Sequence, residues 1–194
     1  MSSMWSPEYL MGDWRPTIGD PTFMGWFTVG SYFFCALVAL YAAWLNRGSH
    51  KRSLFFWSMI MLLMICLGVN KQLDLQSLLT EIGRQIARAQ GWMHQRRVVQ
   101  FGFIVIFATV SITVFTWFTL KFRDLFKRFS LAFCGLFFLI SFIIIRAASF
   151  HHFDALIGFR ISGVRMNWIL ELTGIYMIVL AGFKEIFLLT SHKV

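Results

Sequence analysis

The chain has 194 residues, of which 58% are hydrophobic and only 14% charged, with a mean hydropathy of +0.67. A water-soluble domain carries roughly a quarter of its residues as charged side chains, so this composition excludes a globule wetted on all sides and points to lipid as the solvent. The formal net charge of +9 comes with no phosphate-binding glycine loop, zinc-finger spacing or aromatic-basic single-strand motif. Nucleic acid is therefore not an expected partner, and the basic excess is assigned to loops that set orientation and meet anionic headgroups.

All three prolines, Pro7, Pro16 and Pro21, lie at the start of the chain. Residues 1–23 are accordingly expected to form an irregular, tryptophan-bearing arm along the membrane interface. No basic cluster precedes a short apolar core there, so the arm does not read as a cleavable signal peptide, and the first apolar helix is expected to serve as an uncleaved one. From Thr22 onward no proline interrupts the chain, and long helices are permitted throughout. The three cysteines, Cys35, Cys66 and Cys134, each sit in an apolar run without a CxxC motif and read as small buried side chains rather than a disulfide framework.

Residues 24–45 form the first apolar run, close to the roughly 20 residues that a bilayer crossing requires, with Trp26 and Trp44 near its ends as an interfacial belt would place them. The second run, from Leu54 to Val69, is short. To cross, it must extend to about residue 74, drawing Asn70, Lys71, Gln72 and Asp74 to the edge of the membrane. Residues 98–120, 129–150 and 168–189 supply three more runs. Continuous apolar stretches rather than alternating ones exclude a β-barrel, the other structure that satisfies its backbone in lipid. Between the second and third runs, Leu75, Leu79, Ile82, Ile86 and Met93 recur at helical spacing opposite Arg84 and Arg88, predicting an amphipathic helix over 73–97. The expected fold class is all-α: an integral membrane bundle of about five transmembrane helices plus this connecting helix, with 24–194 as a single transmembrane domain.

Two short connectors are dense in cations: Arg47, Lys51 and Arg52 in one, Lys121, Arg123, Lys127 and Arg128 in the other. Short basic loops stay cytoplasmic, which predicts an outside N-terminus and a cytoplasmic C-terminus. Nine of the eighteen cations, including Arg84, Arg88, Arg96 and Arg97, nevertheless lie outside or in the outer halves of helices in this arrangement. They are diluted in the long amphipathic connector, whereas the orientation rule weighs density in short loops.

With an odd number of crossings, three polar stretches fall at one membrane face: Asn70, Lys71, Gln72 and Asp74 after the second span; Arg146, His151, His152 and Asp154 at the end of the fourth; Arg165, Asn167 and Glu171 at the start of the fifth. An ionisable group within a span is costly unless paired, and it usually faces a bundle interior or a wet cavity. Arg146 and Glu171 each lie about one turn inside that face and are expected to meet or share a network. Lys71 is expected to pair with Asp74 three residues on, or to reach the same network. The plain reading is that these groups neutralise one another and lock the helices, and the functional reading is an intramembrane polar pocket.

His151 and Asp154 share a helix face at i, i+3, while His152 points about 100° away. A carboxylate beside an imidazole orients it as a base or a metal ligand, so zinc is an open option if Asp74 or Glu171 adds a third contact. The spacing is far less specific than HExxH, and a hydrogen-bonded helix end explains it equally well. Haem is not expected, because His50, His94 and His192 lie outside the spans and no second axial imidazole faces the first. Ser149, His151 and Asp154 on one helical segment cannot adopt a triad geometry.

The segments NKQLDLQSLLTEIGR, followed by GW and RR, and RAASFHHFD, followed by RMNWILELTGI, are similar to a group of small bacterial multi-pass membrane proteins of unassigned function. The similarity covers the second to fifth spans in outline. It implies a bacterial inner membrane and carries no catalytic residue with it. The expected function is an accessory or assembly subunit of a larger membrane complex, with protein partners docking on the arm and the amphipathic connector. The alternative is a membrane-embedded metal- or acid/base-assisted hydrolase or transferase acting on a lipid-linked substrate at the outer face. In that case His151, Asp154, Asp74 and Glu171 carry the chemistry, and Arg146 and Lys71 bind an anionic group. A transporter is disfavoured by the absence of repeats or broken helices.

Overall fold

The computed structural model describes residues 20–48, 50–73, 81–82, 85–86, 88, 91, 96–148, 160–161 and 164–191; of 96–101, 103–104, 107, 145–148, 160–161 and 164–167 it describes the backbone alone. Among these residues five long helices follow one another: α1 (Phe23–Leu45), α2 (Lys51–Leu73), α3 (Arg96–Lys121), α4 (Ser130–Ala148) and α5 (Met166–Ser191). A single 3-10 turn, Arg123–Leu125, links α3 to α4. A two-residue antiparallel ladder, β1 (Arg160–Ile161) with β2 (Val164–Arg165), precedes α5. By length and composition α1, α2 and residues Trp168–Ser191 of α5 are long and apolar enough to cross a membrane, and Ser130–Ile144 of α4 is a shorter apolar helix.

Local chemistry sets the helix ends. Thr22 caps α1, its hydroxyl accepting from the Gly25 N–H at 3.1 Å while donating to Asp20 Oδ1; this satisfies one of the donors that a helix start leaves unpaired. At the other end the Asn46 amide donates to the Ala42 carbonyl at 2.8 Å. The basic connector 46–50 then reverses the chain within a few residues. Within the amphipathic stretch 73–97, the described residues Glu81, Ile82, Gln85, Ile86 and Arg88 are helical, with Gln85 donating to Glu81 one turn back. Gly91 follows at φ +73°, the left-handed conformation that ends a helix and that glycine adopts without a Cβ penalty.

The helices form a row in the order α2, α1, α5, α4, α3, each packed on its neighbours. The interior of the row combines large side chains, among them Tyr32, Trp57, Ile60, Leu139 and Ile178, with a face of small residues on α1. Ala36, Ala39, Ala42 and Ala43 of α1 are buried, while Phe34, Leu37, Leu40, Tyr41 and Trp44 of the same helix face outward. Helices in lipid associate through close van der Waals packing rather than through expulsion of water, and small residues permit the approach. A backbone-to-backbone instance joins α4 and α5: a Cβ on Gly135 would stand 2.6 Å from the Gly174 carbonyl oxygen, and one on Gly174 2.9 Å from that of Gly135.

Among the described residues the two outer helices of the row meet at the connector end. Phe56 of α2 stacks on Phe129 with ring centroids 4.8 Å apart and touches Phe118 and Phe122 at the end of α3 and Phe133 of α4. Trp57 meets the opposite side of the cluster edge-on against Phe129. Such aromatic contacts contribute roughly 0.5–1.5 kcal/mol each beyond their burial. Nearer its start, α3 keeps Val105, Ile106, Val110 and Val114 about half exposed or more.

The glycine contact carries a direct expectation. Gly135→Ala should destabilise the protein by about 1–3 kcal/mol, the usual cost of overpacking. Gly30→Ala, where a Cβ meets nothing within 4 Å, should be neutral or stabilise by up to about 1 kcal/mol. Thermal unfolding of both variants in one detergent compares them; equal midpoints would remove the close α4–α5 approach.

Candidate functional site: two buried ion pairs at opposite ends

α2 continues through Asn70, Lys71 and Gln72 to Leu73 as one unbroken helix. One turn before Lys71 sits Gly68, whose missing side chain leaves room for Tyr32 of α1; a Cβ there would lie 3.2 Å from the tyrosine Cβ. The close approach brings three helices onto one carboxylate. Lys71 Nζ donates to Glu171 Oε2 at 2.8 Å and the Tyr32 hydroxyl donates to Glu171 Oε1 at 3.0 Å. The Lys71 and Glu171 side chains retain only 5% and 2% of their exposure. Ser31 and Tyr176 hydroxyls, 3.3 Å apart, join α1 to α5 nearby.

The energetics follow from burial. Taking both charges out of water costs several kcal/mol per ion, and the mutual attraction offsets this only when the remaining lone pairs are also satisfied. Tyr32 supplies that second hydrogen bond, so both Glu171 oxygens are engaged. The sequence expects Arg146 and Glu171 to meet or share a network, and Lys71 to pair with Asp74 or reach that network; among the described residues Lys71 reaches Glu171. Arg146 lies in the last turn of α4. With Leu139 opposite Gly174 and Gly135 opposite Ile178, the antiparallel register carries its backbone to the level of Asn167, though its side chain is outside the described residues.

The other expected members divide as follows. Asn70 is exposed, and both amide atoms of Gln72 are buried without a hydrogen-bond partner among the described residues. The backbones of Arg165, in β2, and Asn167, in the first turn of α5, stand at the same end. Asp74, His151, His152 and Asp154 lie outside the described residues, and with them the zinc option. Among the described residues no group of three histidine, cysteine, aspartate or glutamate side chains converges as metal ligands would.

A second network lies at the other end of α5, about 21 Å along the helix at 1.5 Å per residue. Arg128, just before α4, donates from Nε to Glu185 Oε2 at 3.0 Å and from a terminal nitrogen to Oε1 at 2.7 Å, a two-point clamp. Asn46 adds a third donor to Oε1 at 3.1 Å. Glu185 is fully buried, whereas the Arg128 side chain is about one-third exposed. Asn46 Oδ1, Ser53 Oγ and Trp57 Nε1, all buried around this end, have no hydrogen-bond partner among the described residues; atoms so placed are ordinarily satisfied by ordered water. Reading the sequence by connectors assigned Arg128 to a loop and passed over Glu185. The signal was present, since a carboxylate inside the fifth apolar run needs a partner as surely as Glu171 does.

At the surface Arg52, in the first turn of α2, bridges Asp124 of the 3-10 turn at 2.6 Å with both side chains exposed. The hydrogen bond from Arg52 holds the Asp124 carboxyl below the usual carboxylate range. A lowered carboxylate pKa places this contribution to stability above the ordinary value, and the contribution fades as pH falls through the lowered one. No family model, curated protein or solved structure matches the chain.

Replacing one partner of the Lys71–Glu171 pair should be severe. Glu171→Ala or Lys71→Met is expected to cost about 3–5 kcal/mol, because each strands a buried charge or its donor. The double replacement Lys71→Met, Glu171→Leu should recover most of that loss. Glu185→Ala should cost less, about 1–3 kcal/mol, since the Arg128 guanidinium already reaches solvent. Unfolding free energies from a double-mutant cycle decide this, and additive single-site losses at Lys71 and Glu171 would contradict the pairing.

Proposed function

We propose that the chain is a multi-pass membrane protein with five transmembrane helices, acting as an accessory or assembly subunit of a larger membrane complex. The observation that carries this reading is that each described ionisable side chain buried between helices is spent on another part of the same chain: Lys71 and Glu171 at one end, Glu185 with Arg128 and Asn46 at the other. Polar groups held in this way lock helices together, and their hydrogen-bonding capacity is used in doing so. Exposed large apolar side chains on every long helix support lipid and other membrane helices as the surroundings.

Orientation follows from charge. The end carrying the connectors 46–50 and 122–129 faces the cytoplasm, the Lys71–Glu171 end faces outward, and the N-terminus is outside. The bacterial inner membrane is inferred from the resemblance of the NKQLDLQ and RAASFHHFD segments alone. A catalytic reading at the outer face keeps one supporting observation, the Gln72 amide beside Lys71, buried without a partner among the described residues. In that reading His151, Asp154, Asp74 and Glu171 act on a lipid-linked substrate.

Single cysteines in a cysteine-free background, at Asp20, Gly48 and Lys127, test the topology with a membrane-impermeant maleimide on intact cells. Labelling is expected at 20 and not at 48 or 127; labelling at 48 but not 20 reverses the orientation, and equal labelling at both removes the first crossing. For function, the tagged chain solubilised from its native membrane should migrate in an assembly of fixed stoichiometry, unchanged by His151→Ala. Stoichiometric zinc lost on that substitution would transfer the assignment to the enzyme.

A further inference from the structure

At the end of the bundle that carries the short connectors, both described acids are already engaged, Asp124 by Arg52 and Glu185 by Arg128. Arg47, Lys51, Lys121, Arg123, Lys127 and Lys184 remain, all exposed and without an acidic partner among the described residues. Three of them gather on one flank. The Arg52–Asp124 bridge ties the first turn of α2, which begins at Lys51, to the 3-10 turn after α3, which begins at Arg123. Lys121 completes the group, its ammonium 4.9 Å from the ring centre of Phe55 and 4.6 Å from that of Trp117. The two rings position the Lys121 charge without neutralising it, so its N–H donors stay available. Phe55 and Trp117 are themselves 44% and 51% exposed, on the apolar side of the cations.

We propose that this flank, where α2 meets the end of α3, binds the phosphate of an anionic phospholipid. Lys51, Lys121 and Arg123 face the headgroup, and Phe55 and Trp117 lie against the glycerol and upper acyl chain. The proposal rests on the membrane placement above. Cations just beyond a half-exposed tryptophan are what the phosphate level of a bilayer meets. A zwitterionic headgroup fits poorly, because its own ammonium would face three uncompensated cations. Inorganic phosphate would satisfy the charges but leave both rings uncovered.

The full chain is reconstituted in nanodiscs of phosphatidylcholine containing a minor fraction of phosphatidylglycerol, and lipid retained on release is identified by native mass spectrometry. Retained phosphatidylglycerol is expected well above its bulk fraction. The triple variant Lys51→Gln, Lys121→Gln, Arg123→Gln should lower that preference by roughly tenfold to a hundredfold. Arg47→Gln, Lys127→Gln, Lys184→Gln removes the same charge from the same end and should leave the preference nearly intact. Equal loss in the two triples would reduce the site to a diffuse basic belt and overturn the proposal, as would displacement of the lipid by inorganic phosphate. Clean insertion into discs without any phosphatidylglycerol preference defeats this inference alone, whereas failure to insert defeats the membrane reading and this proposal together.

Discussion

A buried carboxylate that must never be left alone organises this molecule. Glu171 sits between three helices, and its two oxygens are taken by Lys71 of α2 and Tyr32 of α1. In a low-dielectric interior a single unpaired charge costs more than most side-chain contacts return, so α1, α2 and α5 are bound to one relative register at that end. Gly68 is part of the same constraint, because only its missing side chain lets Tyr32 come close enough to complete the coordination of the carboxylate. Glu185 repeats the device at the other end with Arg128 and Asn46. A helix held at two points along its length resists sliding and rotation as a single clamp would not.

Between the clamps, contact replaces polarity. Alanines line the inner face of α1, and Gly135 and Gly174 let the backbones of α4 and α5 nearly touch. Large apolar side chains of the same helices both fill the interior, as Leu139 and Ile178 do, and point outward, as Leu37, Phe137 and Leu180 do; the outward set suits an apolar solvent. Closure at the basic end comes instead from rings: Phe56, Phe118, Phe122, Phe129 and Phe133 bring the outer members of the helix row together. The bundle is therefore held by charge in pairs, by small residues along its length and by aromatic bulk at one end. Each mechanism acts where the local composition permits it.

The division of charge between the two ends has a functional sense. Acids near the connectors are consumed by arginines, which clamp Glu185 through two nitrogens and hold Asp124 by a single short bridge. The cations left over, mostly lysines, have no acidic partner among the described residues. At the other end Lys71 and Glu171 neutralise each other inside the bundle.

Much of the architecture was legible in the order of residues. Uninterrupted apolar runs without proline demand helices, and the five runs correspond closely in extent to α1–α5, because a run long enough to leave water has no other way to satisfy its backbone. That Lys71 and Glu171 needed partners was equally legible, since burial makes pairing obligatory whatever the fold. Which partner each would take was not. Pairing depends on the azimuth of each side chain around its helix and on the distance between axes, and those are set by Gly68, Gly135 and Gly174 acting across helices far apart in sequence. Tertiary structure alone decided that Lys71 meets Glu171, that Tyr32 completes the pair, and that Arg128 folds back from its connector onto Glu185. A chain can state that a charge must be compensated; only packing in three dimensions determines by what.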